Sequence, residues 1–355
     1  LWQLPLCFFV ENNGYAVSTT LAEETRETRL SSRGGAYGMP AYRVDGMDPL
    51  AVRLATRMAL QTLRDGGGPA LIEAEVYRYL HHSGALPGSA FGYRSKEEEG
   101  RWRERDPIER TAREGLRRGW LEAGTQAAMR QQAQQAARQA AAALTEEADG
   151  KRRIVPALWP RVEFRDAGLR GDLSEFEGAR FEELETASGP VGETRFVDAV
   201  AQVMARGMER DERVFVMGED VHRLKGGTNG ATRGLADRFG DRVIGTPIAE
   251  QGFLGLAGGV AGEGSYRPVV ELMYADFALV AADQAFNQIA KARHMFGGDA
   301  PMPLVLRTKC AIGTGYGSQH SMDPAGLFSM WPGWRIVAPS TPFDYVGLMN
   351  SALRC

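Results

Sequence analysis

At 355 residues, 43% of them hydrophobic and 25% charged, the chain has the composition of a soluble globular protein with two or three domains. A formal charge of -3 and a pI near 6.1 give no general attraction to nucleic acid or to an anionic membrane. Apolar runs such as 4–10 fall far short of the roughly 20 residues that cross a bilayer, no signal peptide opens the chain, and Cys7, Cys310 and Cys355 lack disulfide or zinc spacing, so a cytoplasmic protein is expected.

The run 6–10 is wholly apolar and is followed at once by Asn12-Asn13-Gly14, the pattern of a buried parallel strand delivering a polar loop to a ligand crevice. The chain opens with this strand already under way and ends at Cys355 inside an expected helix, so both ends are expected to be cut within domains. Helical spacing of Leu50, Val52, Leu54, Met58, Leu60 and Leu63 predicts a helix over 49–64, and after Gly66-Gly67-Gly68 a second strand is expected over 70–76. From 95 to 144 the sequence is charged and then Ala/Gln-rich, helical by propensity, with Asp106-Pro107 as a helix start.

Between 145 and 191 the periodicity fades, which predicts a linker. A new unit over 192–355 then reads as helix 196–208, strand 214–217, helix 248–264, strand 269–273, helix 277–296, strand 303–307 and strand 336–338. The expected fold class is α/β: two modules, 1–144 and 192–355, each with a mainly parallel sheet covered by helices, joined by a helical and irregular connector. Two Gly-rich stretches, Gly226-Gly227 and Gly255–Gly264, lack the G-x-G-x-x-G order of a dinucleotide site, which is therefore rejected.

Several strings carry chemistry. E-N-N-G-Y-A-V-S-T (11–19) offers amide and carbonyl oxygens, hard ligands of the kind Mg²⁺ shares with phosphates. Y-R-Y-L-H-H-S (77–83) ends the second strand and leads into a Gly/Pro/Ser-rich loop closing on Tyr93-Arg94. In the second unit G-E-D-V (218–221), T-P-I-A-E-Q-G-F (246–253), E-L-M-Y-A-D-F (271–277), D-Q-x-x-N-Q-x-A-K (283–291) and G-S-Q-H-S (317–321) follow in order. Singly these have bland readings: a turn at Asn-Gly, a solvated His-His loop, a helix-start carboxylate at Glu250, a core phenylalanine at Phe277.

Together they resemble the decarboxylating component of the thiamine-diphosphate-dependent 2-oxo acid dehydrogenases, the pyruvate and branched-chain family, with its α-type and β-type parts fused. The resemblance implies thiamine diphosphate and Mg²⁺ as cofactors, with Asn13 ligating the metal through its side chain and Tyr15 through its backbone carbonyl. It places Val17 as the wedge of the bent cofactor, Ile248 as a further cofactor contact, and Phe277 stacked on the pyrimidine. Glu250 is implied to hydrogen-bond the aminopyrimidine nitrogen, a task suited to a carboxyl whose pKa an apolar cleft raises. His82 is implied in transfer to the lipoyl group and His320 in acid/base work beside the substrate carboxylate. Ser83 matches a position phosphorylated in some mitochondrial relatives, and the His-His order is nearer to the branched-chain enzymes than to the pyruvate enzymes.

The implied reaction is oxidative decarboxylation of a 2-oxo acid with acyl transfer to a lipoyl domain of the dihydrolipoyl acyltransferase partner, by a homodimer of the full-length fused chain. Neither nucleic acid nor membrane enters as a partner. Two alternatives remain: a transketolase-like thiamine diphosphate enzyme, or an inactive fragment acting only in assembly. These 355 residues alone are expected to be inactive and to bind the cofactor weakly, because the family's metal site also draws on an aspartate upstream of the opening strand.

Overall fold

The computed structural model describes residues 2–82, 84–159, 176–227 and 229–355. The chain divides into two compact units, Leu1–Arg152 and Arg153–Cys355. As expected for an α/β chain, the main sheet of each unit is wholly parallel.

In the first unit β1 (Cys7–Asn12), β4 (Ala41–Asp45) and β5 (Ala70–Glu75) form a sheet in the order β1-β5-β4. A short hairpin of β2 (Tyr15–Ala16) and β3 (Thr19–Thr20) follows β1 directly. The central strand β5 is buried almost throughout, as its position requires. By contrast β1 is not the fully buried strand expected: Phe8 is 49% and Phe9 44% exposed, so neither face of this edge strand is fully covered. β4, between Gly38 and Gly46, was not foreseen; its A-Y-R-V-D sequence is too polar to stand out as an apolar run. Helix Pro49–Arg64 starts where its chemistry dictates. The Asp48 side chain accepts from the Leu50 and Ala51 amides, and Pro49 occupies the first turn, where its missing N–H costs nothing. Its inward face is Ala55 and Ala59 against Ala70 and Ile72, while Leu54 and Met58 are exposed. Helices Lys96–Arg103, Pro107–Arg117 and Thr125–Leu144 follow, the second capped by Asp106 as predicted. The stretch read as a linker includes β6 (Thr145–Ala148) and β7 (Lys151–Ile154), and residues 160–175 lie outside the described residues.

The second unit has the sheet order β11-β10-β8-β9, from β8 (Val214–Glu219), β9 (Val243–Thr246), β10 (Arg267–Glu271) and β11 (Val305–Arg307). Alternate side chains of β8 enter opposite cores, as the strand period of two demands. Val214 and Val216 pack with Met204 and Met208 of helix Phe196–Arg210, whereas Phe215 and Met217 pack with Phe253, Leu254 and Phe286. No strand forms at 336–338, where Ile336 and Val337 are exposed; the sheet ends at β11, which pairs with β10 alone.

The helix expected over 277–296 is three segments: a 3-10 turn Ala275–Leu279, a π-helix Asp283–Ile289 and an α-helix Ala290–Met295. The Ala290 amide reaches back to the Ala285 carbonyl, which also accepts the Trp334 indole N–H at 3.1 Å. An indole entering the carbonyl ladder gives a physical cause for the widened turn. Gly258 of helix Glu250–Glu263 lets the π segment approach: a Cβ there would lie 2.8 Å from Ile289 Cγ1. Among the described residues no helix is long and apolar enough to cross a membrane.

Candidate functional site

Both groups of candidate residues stand at carboxyl ends of parallel strands, where open α/β sheets present polar groups. In the first unit the turn after β1 is tied down by its own side chains. Asn12 Oδ1 accepts from the Gly14 amide at 3.0 Å and Asn13 Oδ1 from the Tyr15 amide at 2.9 Å. Gly14 takes φ +76°, a conformation open to glycine, and Val17 at the hairpin tip takes φ +56°, which is strained for a β-branched residue. Asn12 also donates to Glu73 at 2.8 Å, while the Ser31 amide donates to the other Glu73 oxygen at 2.8 Å. Burial would push the fully enclosed Glu73 carboxyl up, but these hydrogen bonds outweigh it and hold the group below the usual carboxylate range. Glu73 thus fixes the turn that carries Asn13 and Tyr15. An open cleft here is lined by Glu11, Asn13, Tyr15, Thr19 and Glu24.

Tyr15 connects this turn to the histidine loop. Its hydroxyl donates to Glu98 at 3.0 Å, and its ring lies edge-on to Tyr93 at 6.0 Å. Burial, with the Glu98 hydrogen bond and charge behind it, raises the phenol pKa. Arg94 is buried and binds the carbonyls of Arg78 (2.6 Å), Leu80 (3.2 Å) and Gly88 (3.3 Å), with its guanidinium 5.7 Å from the Tyr15 ring centre. The loop stem is closed by a bridge between Leu80 and Pro87. His82 is exposed, with Nδ1 3.3 Å from Arg78 Nη1; a guanidinium can only donate, so that contact requires the ring nitrogen to accept. His81, by contrast, packs on Phe91 at 4.4 Å. Ser83 lies outside the described residues. Among the described residues there is no group of three or more His, Cys, Asp or Glu that could hold a metal; beside Asn13 the cleft offers amide and carbonyl oxygens with the Glu11 and Glu24 carboxylates.

In the second unit Glu250 is the first residue of helix Glu250–Glu263 and is buried, a costly place for an unpaired carboxylate. Its neighbour is Glu219, the last residue of β8, also buried and close enough to share a hydrogen-bonded proton. Burial first, then the Glu250 and Asp220 charges, push the Glu219 carboxyl up to about 7. Glu219 therefore stays partly protonated near neutrality, when isolated carboxyls have lost their proton. One Glu219 oxygen, Thr246 Oγ1 and His320 Nδ1 are buried without a protein partner. His320, in the 3-10 turn Ser318–His320, meets Phe277 edge to face at 5.4 Å and Tyr274 at 4.9 Å. Phe277 and His320 are thereby brought together. Ile248, two residues before Glu250, is 82% exposed.

Sequence reasoning quoted Glu219 within G-E-D-V and Arg94 where the loop closes but gave neither a role, and passed over Glu73. The one signal for Glu219 was an acidic pair at the end of an apolar run; nothing in the sequence showed that its partner would be Glu250.

Residues 1–151 match the family described as dehydrogenase E1 component, and residues 193–355 match the transketolase pyrimidine binding domain. Among curated proteins, acetoin:2,6-dichlorophenolindophenol oxidoreductase subunit beta of Cupriavidus necator is 41% identical over 165 residues, 44% of this chain and 48% of that protein. 2-Oxoisovalerate dehydrogenase subunit beta of Bacillus subtilis is 42% identical over 160 residues, 45% of this chain and 48% of its own length. The human mitochondrial pyruvate dehydrogenase E1 component subunit beta is 41% identical over 158 residues, 44% of each chain. The chain spans about half the length of the curated relatives it matches. Residues 1–151 thus carry a dehydrogenase E1 domain and residues 193–355 a transketolase-type pyrimidine-binding domain on one polypeptide, an arrangement consistent with a thiamine-diphosphate-dependent 2-oxo acid dehydrogenase component.

Proposed function

We propose that this chain serves the oxidative decarboxylation of a 2-oxo acid, branched-chain or pyruvate, with acyl transfer to a lipoyl domain of an acyltransferase partner. The observation that carries the reading is the buried Glu219–Glu250 pair, with unpartnered polar atoms on Glu219, Thr246 and His320 and aromatic rings at Phe277 and Tyr274. Such a donor set suits a flat heterocycle bearing ring nitrogens and an amino group.

Bound thiamine diphosphate supplies the carbanion and electron-sink chemistry. Glu250 would hydrogen-bond the pyrimidine nitrogen of the bound cofactor, with the Glu219 carboxyl, raised to about 7, beside it. Phe277 stacks on the pyrimidine, and His320 exchanges protons beside the substrate carboxylate. Asn13 and the Tyr15 carbonyl would hold Mg²⁺, and Val17 and Ile248 would serve as apolar cofactor contacts. His82 serves acyl transfer, and the working unit is a homodimer of the full-length fused chain. The relatives' names differ in what they act on, so the oxo acid is set by assay. Cofactor-dependent CO₂ release from branched-chain oxo acids and pyruvate, with a dye as electron acceptor, tests the reading; turnover of sugar phosphates instead would replace it with transketolase chemistry.

A further inference from the structure

Lys309 lies just past β11 and is half-buried, with Nζ 4.9 Å from the centre of the Tyr274 ring. That ring is itself buried and meets the His320 imidazole at 4.9 Å with an interplanar angle of 75°. Phe277 meets His320 at 5.4 Å and 78° and lies only 6.2 Å from Tyr274, so the two rings form adjacent walls, with Tyr316 a third neighbour at 6.0 Å. The imidazole thus rests against a cluster of aromatic rings, and the nearest of them, Tyr274, is backed by a cation. Around Lys309 the charged groups are Glu271 and Arg307. Burial lowers the ammonium pKa and Arg307 adds to this, while Glu271 opposes both.

The surrounding backbone is pinned independently of these side chains. The Ala275 amide donates to the Lys309 carbonyl at 3.0 Å, the Ala311 amide to the His320 carbonyl at 3.0 Å, and the Met322 amide to Asp276 at 3.2 Å. A cation held over the face of Tyr274 adds directional attraction to this scaffold and fixes the ring on which His320 rests.

We infer that Lys309 is a positioning residue that clamps Tyr274 and thereby sets the orientation of the His320 imidazole. The clamp is a property of the chain itself; its value to turnover rests on the role proposed for His320. Lys309→Met keeps the length of the side chain and removes the charge, whereas Lys309→Arg keeps a cation able to lie over the ring.

Two measurements separate the clamp from the reaction. The 355-residue chain has five histidines, so ring-carbon labelling with a His320→Gln control identifies the His320 signal by NMR. In Lys309→Met that signal moves toward the position of an unstacked imidazole, and in Lys309→Arg it stays. In the assembled, cofactor-loaded enzyme Lys309→Met lowers kcat by roughly 3- to 30-fold with KM nearly unchanged, and arginine restores most of it. An unmoved His320 signal in Lys309→Met overturns the clamp, and a moved signal with undiminished kcat overturns its positioning role. Absence of decarboxylation in the unaltered enzyme would instead defeat the proposed function, leaving the NMR result to decide the clamp.

Discussion

The carboxyl groups of Glu219 and Glu250 meet in the interior of the second unit, one ending a strand and the other beginning a helix, with Glu219 raised to about 7. A carboxyl whose folded pKa exceeds its unfolded value binds more protons in the native state between the two values. Stability therefore falls as pH rises from about 4.5 to about 7 and stays reduced above that window. Glu219→Gln removes the ionisation, so the variant gains about 1–3 kcal/mol over the unaltered chain at pH 8 and little at pH 4. Urea unfolding at the two pH values checks this; an equal effect at both would mean that the pair is not proton-linked to folding.

For Glu250→Gln in the complete enzyme the expected outcome is a loss of turnover of ~10²–10⁴-fold, because an amide cannot share a proton with the ring nitrogen. Folding is nearly unchanged, since the amide is isosteric with the carboxyl and introduces no buried charge. Steady-state rates with circular dichroism as the folding control decide it, and near-normal activity would dismiss the role.

The geometry of the histidine loop separates two assays. His82 is exposed and lies apart from its packed neighbour His81, so His82→Ala should impair transfer to the lipoyl domain more than dye-coupled decarboxylation. Equal losses in both would move His82 into the decarboxylation step.

Most of the fold was legible, and the limits have physical causes. Helix Pro49–Arg64 announced itself through Asp48-Pro49 and its apolar period, and the buried strands through their apolar runs. β4 and β9 were missed because A-Y-R-V-D and V-I-G-T are short and mixed. The apolar I-V-A at 336–338 misled because strand propensity is realised only through pairing, and this segment does not pair with the open edge of β11. Candidate residues could be named from strings, but contacts between strings could not: Glu219 with Glu250, and Lys309 with Tyr274, join positions 31 and 35 residues apart.

A stability test targets the ion pair of Glu271 and Arg307, buried at the ends of β10 and β11 with Nε–Oε2 at 2.8 Å. Glu271→Ala strands a buried guanidinium and should cost about 3–5 kcal/mol, whereas replacing both residues by apolar ones of similar size should cost much less. Denaturant midpoints of the single and double variants give the comparison, and equal losses would show that shape rather than charge pairing matters there.

The widened turn at Asp283–Ile289 makes this part of the molecule tolerant of a change in chain length. A π turn takes in more residues than an α turn, so omitting one residue from 283–289 would let ordinary α-helix form while the flanking segments kept nearly their present phase. Phe277 would then keep its place beside His320. A single-codon deletion there tightens the coil locally and leaves the two flanking segments facing as before.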